Sequence, residues 1–244
     1  MSEKILTFIK QNKVHVIIWT LGLLVFGYYI YNVVTTPTYL LCGIMLNTET
    51  TETDTKAEDL AKDFATAYDI ELARGDVAFL DNYKCSVNEK ELSEESVEAV
   101  QQILIHQGKG ILDFVTGNTD VMQKLAYETY VDDSYVFANL TEVLSAEQAK
   151  FYKPYFLYID LDVVEKINDA YDKKEDTSKI KLPDPTKPEK MKNPVPVLID
   201  ISNVSNLKEV YGENLSELTF GLVEGSPNQS IAINFLEYIM FEEE

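Results

Sequence analysis

Cysteine, histidine and positive charge are all scarce in this chain. Two Cys among 244 residues exclude a disulfide framework and a four-thiolate zinc site. Two His, one of them (His15) inside an apolar run, leave little for imidazole chemistry. Twenty-one Lys and Arg, with Arg74 the single arginine, stand against 41 Asp and Glu, a net charge of −20. That balance excludes nucleic-acid binding through an extended basic surface and repels anionic phosphates. The signatures G-x-S-x-G, G-x-x-x-x-G-K-[ST] and H-E-x-x-H are missing, so the nucleophile, phosphate-cradling and zinc chemistries they serve are not expected. No catalytic residue, metal ligand or cofactor is predicted, and the chain reads as a non-enzyme.

What is present begins with an uncharged run, VHVIIWTLGLLVFGYYIYNVV, from Val14 to Val34. At 1.5 Å per residue it spans about 30 Å, the thickness of a bilayer's hydrocarbon core. Trp19 lies near one end and Tyr28, Tyr29 and Tyr31 near the other, where ring-plus-polar side chains prefer the interface. Residues 1–13 carry three Lys and one Glu, whereas residues 35–244 carry 18 bases and 40 acids. The positive flank belongs in the cytoplasm. The expected organisation is a cytoplasmic segment at 1–13, a single transmembrane helix at 14–34 contacting the lipid bilayer, and an extracytoplasmic domain at 35–244. A cleaved signal peptide would have a shorter apolar core and small residues after it; here Tyr and Asn close the run. Leu40-Leu41-Cys42-Gly43 resembles a lipoprotein box only loosely, because Leu41 is large, and Cys42 reads as a strand cysteine.

Beyond the span, short apolar runs alternate with helical patterns. Strands are expected at 39–46, 77–83, 111–115, 155–161, 194–202 and 218–223. Helical spacing appears in Ala57, Leu60, Ala61, Phe64 and Ala65, in Val97, Val100, Ile103 and Leu104, in Val121, Met122, Leu125 and Ala126, over 140–151, and in Ala232, Phe235, Leu236 and Ile239. Within residues 169–194, the stretch from Lys173 to Lys190 holds six of the 21 basic residues and three of the eight prolines, which predicts an exposed, mobile loop. Strand–helix alternation predicts an α/β fold, a mostly parallel sheet with helices on both faces. Cys42 and Cys85, at opposite ends of consecutive parallel strands, would both be free.

Several of these segments resemble the bacterial extracellular solute-binding proteins of the type II periplasmic-binding fold. Gly110-Ile111-Leu112-Asp113-Phe114 matches a glycine-bounded G-x-x-D-hydrophobic strand, and Tyr135 to Leu144, YVFANLTEVL, matches the element after the next helix. PVPVLIDIS and the tail FGLVEGSPNQSIAINFLEYIMF are similar to later family elements. The resemblance is closest to a compact, membrane-tethered variety of the cell envelope. It implies capture of a small polar solute in a cleft, with hinge closure read by a membrane transport or sensing partner. Residues 145–215 are too few for a full second lobe, so a reduced second lobe is expected.

In open α/β sheets ligands bind beyond the strands' carboxyl ends, near helix starts. That selects Asn47 and Thr48, then Gly117, Asn118 and Thr119, then Asp200 and Ser202, then Gly225, Ser226 and Asn228 as ligand-binding candidates. The same residues serve equally as the caps that helix starts require. Asp160 and Asp162 share a strand face and read as a capped strand end. Tyr127, Tyr130, Tyr135, Tyr152, Tyr155 and Tyr158 could line a cleft between lobes or fill a core. A rival reading keeps the fold but fills the cleft with the chain's own side chains, leaving an interaction domain that docks another envelope protein.

Overall fold

The side chains of the first strand alternate between two apolar clusters, which sets the layers. In the computed structural model, which describes residues 21–22, 24–27, 39–46, 56–70, 77–88, 91–93, 96–128, 135–202, 204–212 and 217–241, β1 (Leu41–Met45) is buried along its whole length. Leu41 and Met45 point into one apolar cluster, and Cys42 and Ile44 into another, as the two-residue period of a strand requires. Both faces of the sheet are therefore covered.

The other elements are α1 (Lys56–Ala67), β2 (Val77–Leu80), β3 (Val87–Asn88), β4 (Glu91–Leu92), α2 (Val97–Gly108), β5 (Phe114–Asn118) and α3 (Thr119–Glu128). Then come α4 (Leu140–Val143), α5 (Ala146–Tyr152), β6 (Phe156–Asp160), α6 (Leu161–Asp172), β7 (Pro194–Asp200), α7 (Lys208–Tyr211), β8 (Leu218–Leu222) and α8 (Gln229–Phe241). The main sheet runs β2-β1-β5-β8-β7-β6, and β3 and β4 form a separate antiparallel pair. Helix α1 buries Ala57, Leu60, Ala61, Phe64 and Ala65, the i, i+3, i+4, i+7, i+8 stripe expected of an amphipathic helix. It packs with α8 on one face, while residues of α2, α3 and α6 join the cluster on the other.

The sheet is mixed, not mostly parallel. β1 pairs parallel with β2 and β5, but β5–β8, β8–β7 and β7–β6 are antiparallel. The reason is visible between β6 and β7. Helix α6 leaves the end of β6, and residues 173–193 carry the chain back to that same end, where the Lys192 and Asn193 N–H groups donate to Asp160 at 3.0 Å. A helix followed by an extended return cancels the displacement that a parallel crossover needs. The expected loop thus starts inside α6, and its remainder is fastened to the outer strand, where Tyr158 N–H donates to Pro185 C=O (2.9 Å), and to α3, where Gln123 Nε2 donates to Pro183 C=O (2.7 Å). This covers an otherwise open sheet edge.

Strands β6 and β7, which fall within the stretch expected to make a small second lobe, belong to the one sheet. The chain divides instead into Met1–Thr38 and Tyr39–Glu244. In the first unit, residues 21–22 and 24–27 are helical, and Leu21, Leu24, Val25 and Phe26 are each more than half exposed. The rest of the expected span at 14–34, and segment 1–13, lie outside the described residues. Among the described residues no helix is long and apolar enough to cross a membrane.

Packing on the α1/α8 face is aromatic. Phe114 stacks with Phe220 (centroids 5.1 Å) and Phe235 (4.9 Å) and meets Phe79 edge-on at 5.4 Å. Its ring lies across Gly43 of β1, and a Cβ there would overlap the ring's Cζ end. The Phe114 side chain cannot yield at the centre of such a cluster, so Gly43→Ala should lower stability by about 3 kcal/mol, the upper end for overpacking. A urea midpoint unchanged from wild type would refute this packing.

Candidate functional site

The carboxyl ends of β1 and β5 form the point where successive crossovers diverge to opposite sides, the usual ligand crevice of such sheets. Gly117 and Asn118 sit on β5 opposite Thr219 and Leu218, and Asp200 of β7 lies opposite Thr219. The fold thus brings Gly117, Asn118, Thr119, Asp200 and Ser202 to one edge. Thr119 and Asp200 are already bonded there. Thr119 N–H donates to Glu217 C=O (2.8 Å), Thr119 Oγ1 bonds Thr219 Oγ1 (2.8 Å), and Asp200 accepts Ser202 N–H (2.9 Å). Behind them Thr116 Oγ1 bonds Tyr211 Oη at 2.5 Å, and burial pushes the Tyr211 hydroxyl pKa up. A Cβ on Gly117 would lie 3.1 Å from Leu46 Cβ, so Leu46 already occupies the space that glycine leaves. Asn47 and Thr48 lie outside the described residues.

Gly225, Ser226 and Asn228 go to the opposite edge, because β8 runs antiparallel to β5. There they surround Asp113, which is fully buried. Its carboxylate accepts Cys42 N–H (2.8 Å), Ser226 Oγ–H (2.6 Å) and Asn228 Nδ2–H (3.4 Å). Asn228 Nδ2 also donates to Tyr39 C=O (3.3 Å). One carboxylate thereby ties β1, β5 and the turn into α8 together. Burial pushes its pKa up, and the bonds from Ser226, Cys42 and Asn228 bring it part of the way back. Burial together with the neighbouring Asp113 pushes the Cys42 thiol up to about 12. Cys42 and Cys85 are both free and buried, thiols rather than nucleophilic thiolates.

Asp160 is on this edge too, as the cap of α6. Partial burial pushes its carboxyl up, but N–H donors from Lys192, Asn193 and Asp162, with the Lys166 charge, hold it below the usual range. Asp162 faces Lys192 at 3.3 Å. Asp160 and Asp162 do not share a strand face as expected, because β6 ends at Asp160 and Asp162 lies in the first turn of α6; among the described residues no group of His, Cys, Asp and Glu is placed to hold a metal ion.

A feature without any local sequence signal lies beside this knot. β7 and β8 pair only at Ile199–Phe220 and Asp200–Thr219. Below that point β8 changes partner: Ala138 N–H donates to Leu222 C=O and Glu224 N–H to Val136 C=O, both at 2.9 Å, with Phe137 bridged to Val223. Phe137 wedges the strands apart, and a Cβ on Gly221 would lie 2.5 Å from its ring. The fork holds a cavity of about 290 Å3. Phe137, Ile159, Val195 and Val197 line it, and Glu142, Glu224, Gly225 and Gln229 also border it. Of the expected ligand residues, Gly225 alone reaches this cavity, with φ +72°. The others that line it come from four stretches, 135–143, 159–161, 195–197 and 224–229, which no spacing rule would connect.

A second cavity of about 450 Å3 lies between α3 and residues 178–182. Of its three lysines, Lys124 pairs with Glu128 (2.9 Å) and Lys179 with Asp176 (3.3 Å), and Asp120 shares the wall. The tyrosines do not converge: Tyr127 and Tyr152 are buried in different clusters, Tyr155 is exposed, and Tyr130 lies outside the described residues. His106 Nδ1 bonds Gln102 C=O within α2 (2.8 Å).

No family model, no curated protein and no solved structure matches this chain.

The raised Asp113 pKa makes a signed prediction. Its stabilising contribution is full below the ordinary carboxylate value of 3.8 and is lost as pH rises through the higher folded value. Asp113→Asn removes that titration and sets an amide donor against existing donors, costing about 1–2 kcal/mol at low pH. Urea unfolding from pH 3 to 7 should show the stability gap between wild type and D113N narrowing as pH rises. A constant gap would contradict the assignment.

Proposed function

We propose that this chain is a non-enzymatic binding module, anchored in the cell membrane through residues 14–34 with its α/β domain outside. It captures a small polar solute and presents it to a membrane transport or sensing partner. The observation that carries the reading is the fork cavity, apolar-walled, with a few polar side chains at its border, the usual make-up of a small-molecule site. The exposed apolar helical residues Leu21, Leu24, Val25 and Phe26 support the anchor. The resemblance to solute-binding proteins agrees with capture, although the site favoured here is not the cleft at the strands' carboxyl ends. With a single sheet, capture needs no closure of one lobe on another.

A second reading, an interaction domain docking another envelope protein, is favoured by the carboxyl edge, where Leu46, Thr116 and Tyr211 fill the crevice. The two separate in a thermal-shift screen of the full chain in detergent, over amino acids, amines, sugars and short peptides. Capture predicts a rise in Tm of about 5–10 °C for some solute at a hundredfold its Kd, abolished by Val195→Phe, which fills the fork from its partly exposed wall. A flat response across the panel would favour docking. A shift that survives V195F would move the site elsewhere.

A further inference from the structure

The fork also constrains what it can hold. We propose that its ligand carries a cationic head, an ammonium or guanidinium group, on an apolar body. The inference rests on the binding reading above and specifies its solute. The walls, Phe137, Ile159, Val195 and Val197, offer no hydrogen-bonding side chain, so the body that fills them is apolar. Glu142 and Glu224 supply two carboxylates, and no Lys, Arg or His lines the cavity to neutralise them.

Both carboxylates are pre-set by the chain. Glu224 accepts Tyr135 N–H through Oε2 at 2.8 Å, and Glu142 accepts Asn139 Nδ2–H through Oε1 at 2.8 Å. Asn139 is itself fixed as the cap of α4, its Oδ1 accepting from Thr141. Each glutamate therefore spends one oxygen on orientation. Glu224 Oε1 and Glu142 Oε2 have no partner among the described residues. A carboxylate held by one bond loses less side-chain entropy when it binds a second donor, and charge-assisted bonds to a cation are the stronger kind.

One element pulls the other way. Helix α8 begins at Gln229, on the cavity wall, and a helix amino end carries roughly half a positive charge. The Ile231 and Ala232 N–H groups are already paired with Asn228 C=O at 3.0 Å. Two whole negative charges outweigh the remaining partial positive one. The chain's net charge of −20 further raises the local concentration of cations.

The test is calorimetric titration of the full chain in nanodiscs with pentylammonium and pentylguanidinium, against pentanol and hexanoate as neutral and anionic counterparts. The cations should bind at least tenfold more tightly than either counterpart. The double variant E142Q/E224Q, which keeps both acceptor oxygens, should remove that preference, and 0.5 M NaCl should weaken it. Equal or tighter binding of hexanoate or pentanol that is blocked by V195F would overturn the cationic assignment and leave the fork as a binding site. Cation binding unaffected by E142Q/E224Q would overturn it likewise. No fork-dependent binding of any probe would overturn both.

Discussion

A buried carboxylate organises this domain. Asp113 sits at the amino end of β5 with no solvent exposure, a position that costs several kcal/mol for an ionised group left alone. The cost is offset in part by donors from Cys42, Ser226 and Asn228, which belong to β1 and to the turn before α8. Those donors are useful only if the turn folds back against the sheet. Holding it there fixes Glu224 and Gly225, and through them the segment from Tyr135 to Ala138 that pairs with β8 below Thr219. The fork between β7 and β8 thus follows from satisfying a single charge.

The two sheet edges accordingly have different characters. At the carboxyl ends of β1 and β5, Thr119, Thr219 and Asp200 are already bonded and Leu46 fills the space beside Gly117, so a ligand would have to break those bonds to use them. At the other edge the partner exchange of β8 leaves a gap that no side chain fills. The two thiols and the Asp113 carboxylate are committed to the interior.

The elements were legible because their signals are local. The apolar run around Cys42 gave β1 and the spacing of Ala57, Leu60 and Phe64 gave α1, whereas the helix expected over 140–151 is two, α4 and α5, parted at Ser145, whose capping box with Gln148 starts α5. Strand direction was not legible. The pattern of β6, α6 and β7 is the same for a parallel or an antiparallel return, and residues 173–193 decide the matter through contacts with β6 that no periodicity encodes. The single six-stranded sheet, in place of a large and a small lobe, has the same origin. Pro194 and Pro196 occupy the half of β7 that has β6 on one side and the fork on the other, where a missing N–H leaves no ladder unsatisfied. Of the candidate site, Gly225 was legible as a glycine turn before a helix. Glu142, Val195 and Glu224 were not, since only the partner exchange at Gly221 brings them together.

The central claim is that solute is held in the fork, and amide hydrogen exchange read residue by residue with and without pentylammonium tests it most directly. The account predicts slowed exchange at residues 135–139, 195–199 and 223–225, with residues 117–119 and 200–202 unchanged. Slowing confined to the carboxyl edge, or none anywhere at saturating pentylammonium, would contradict it.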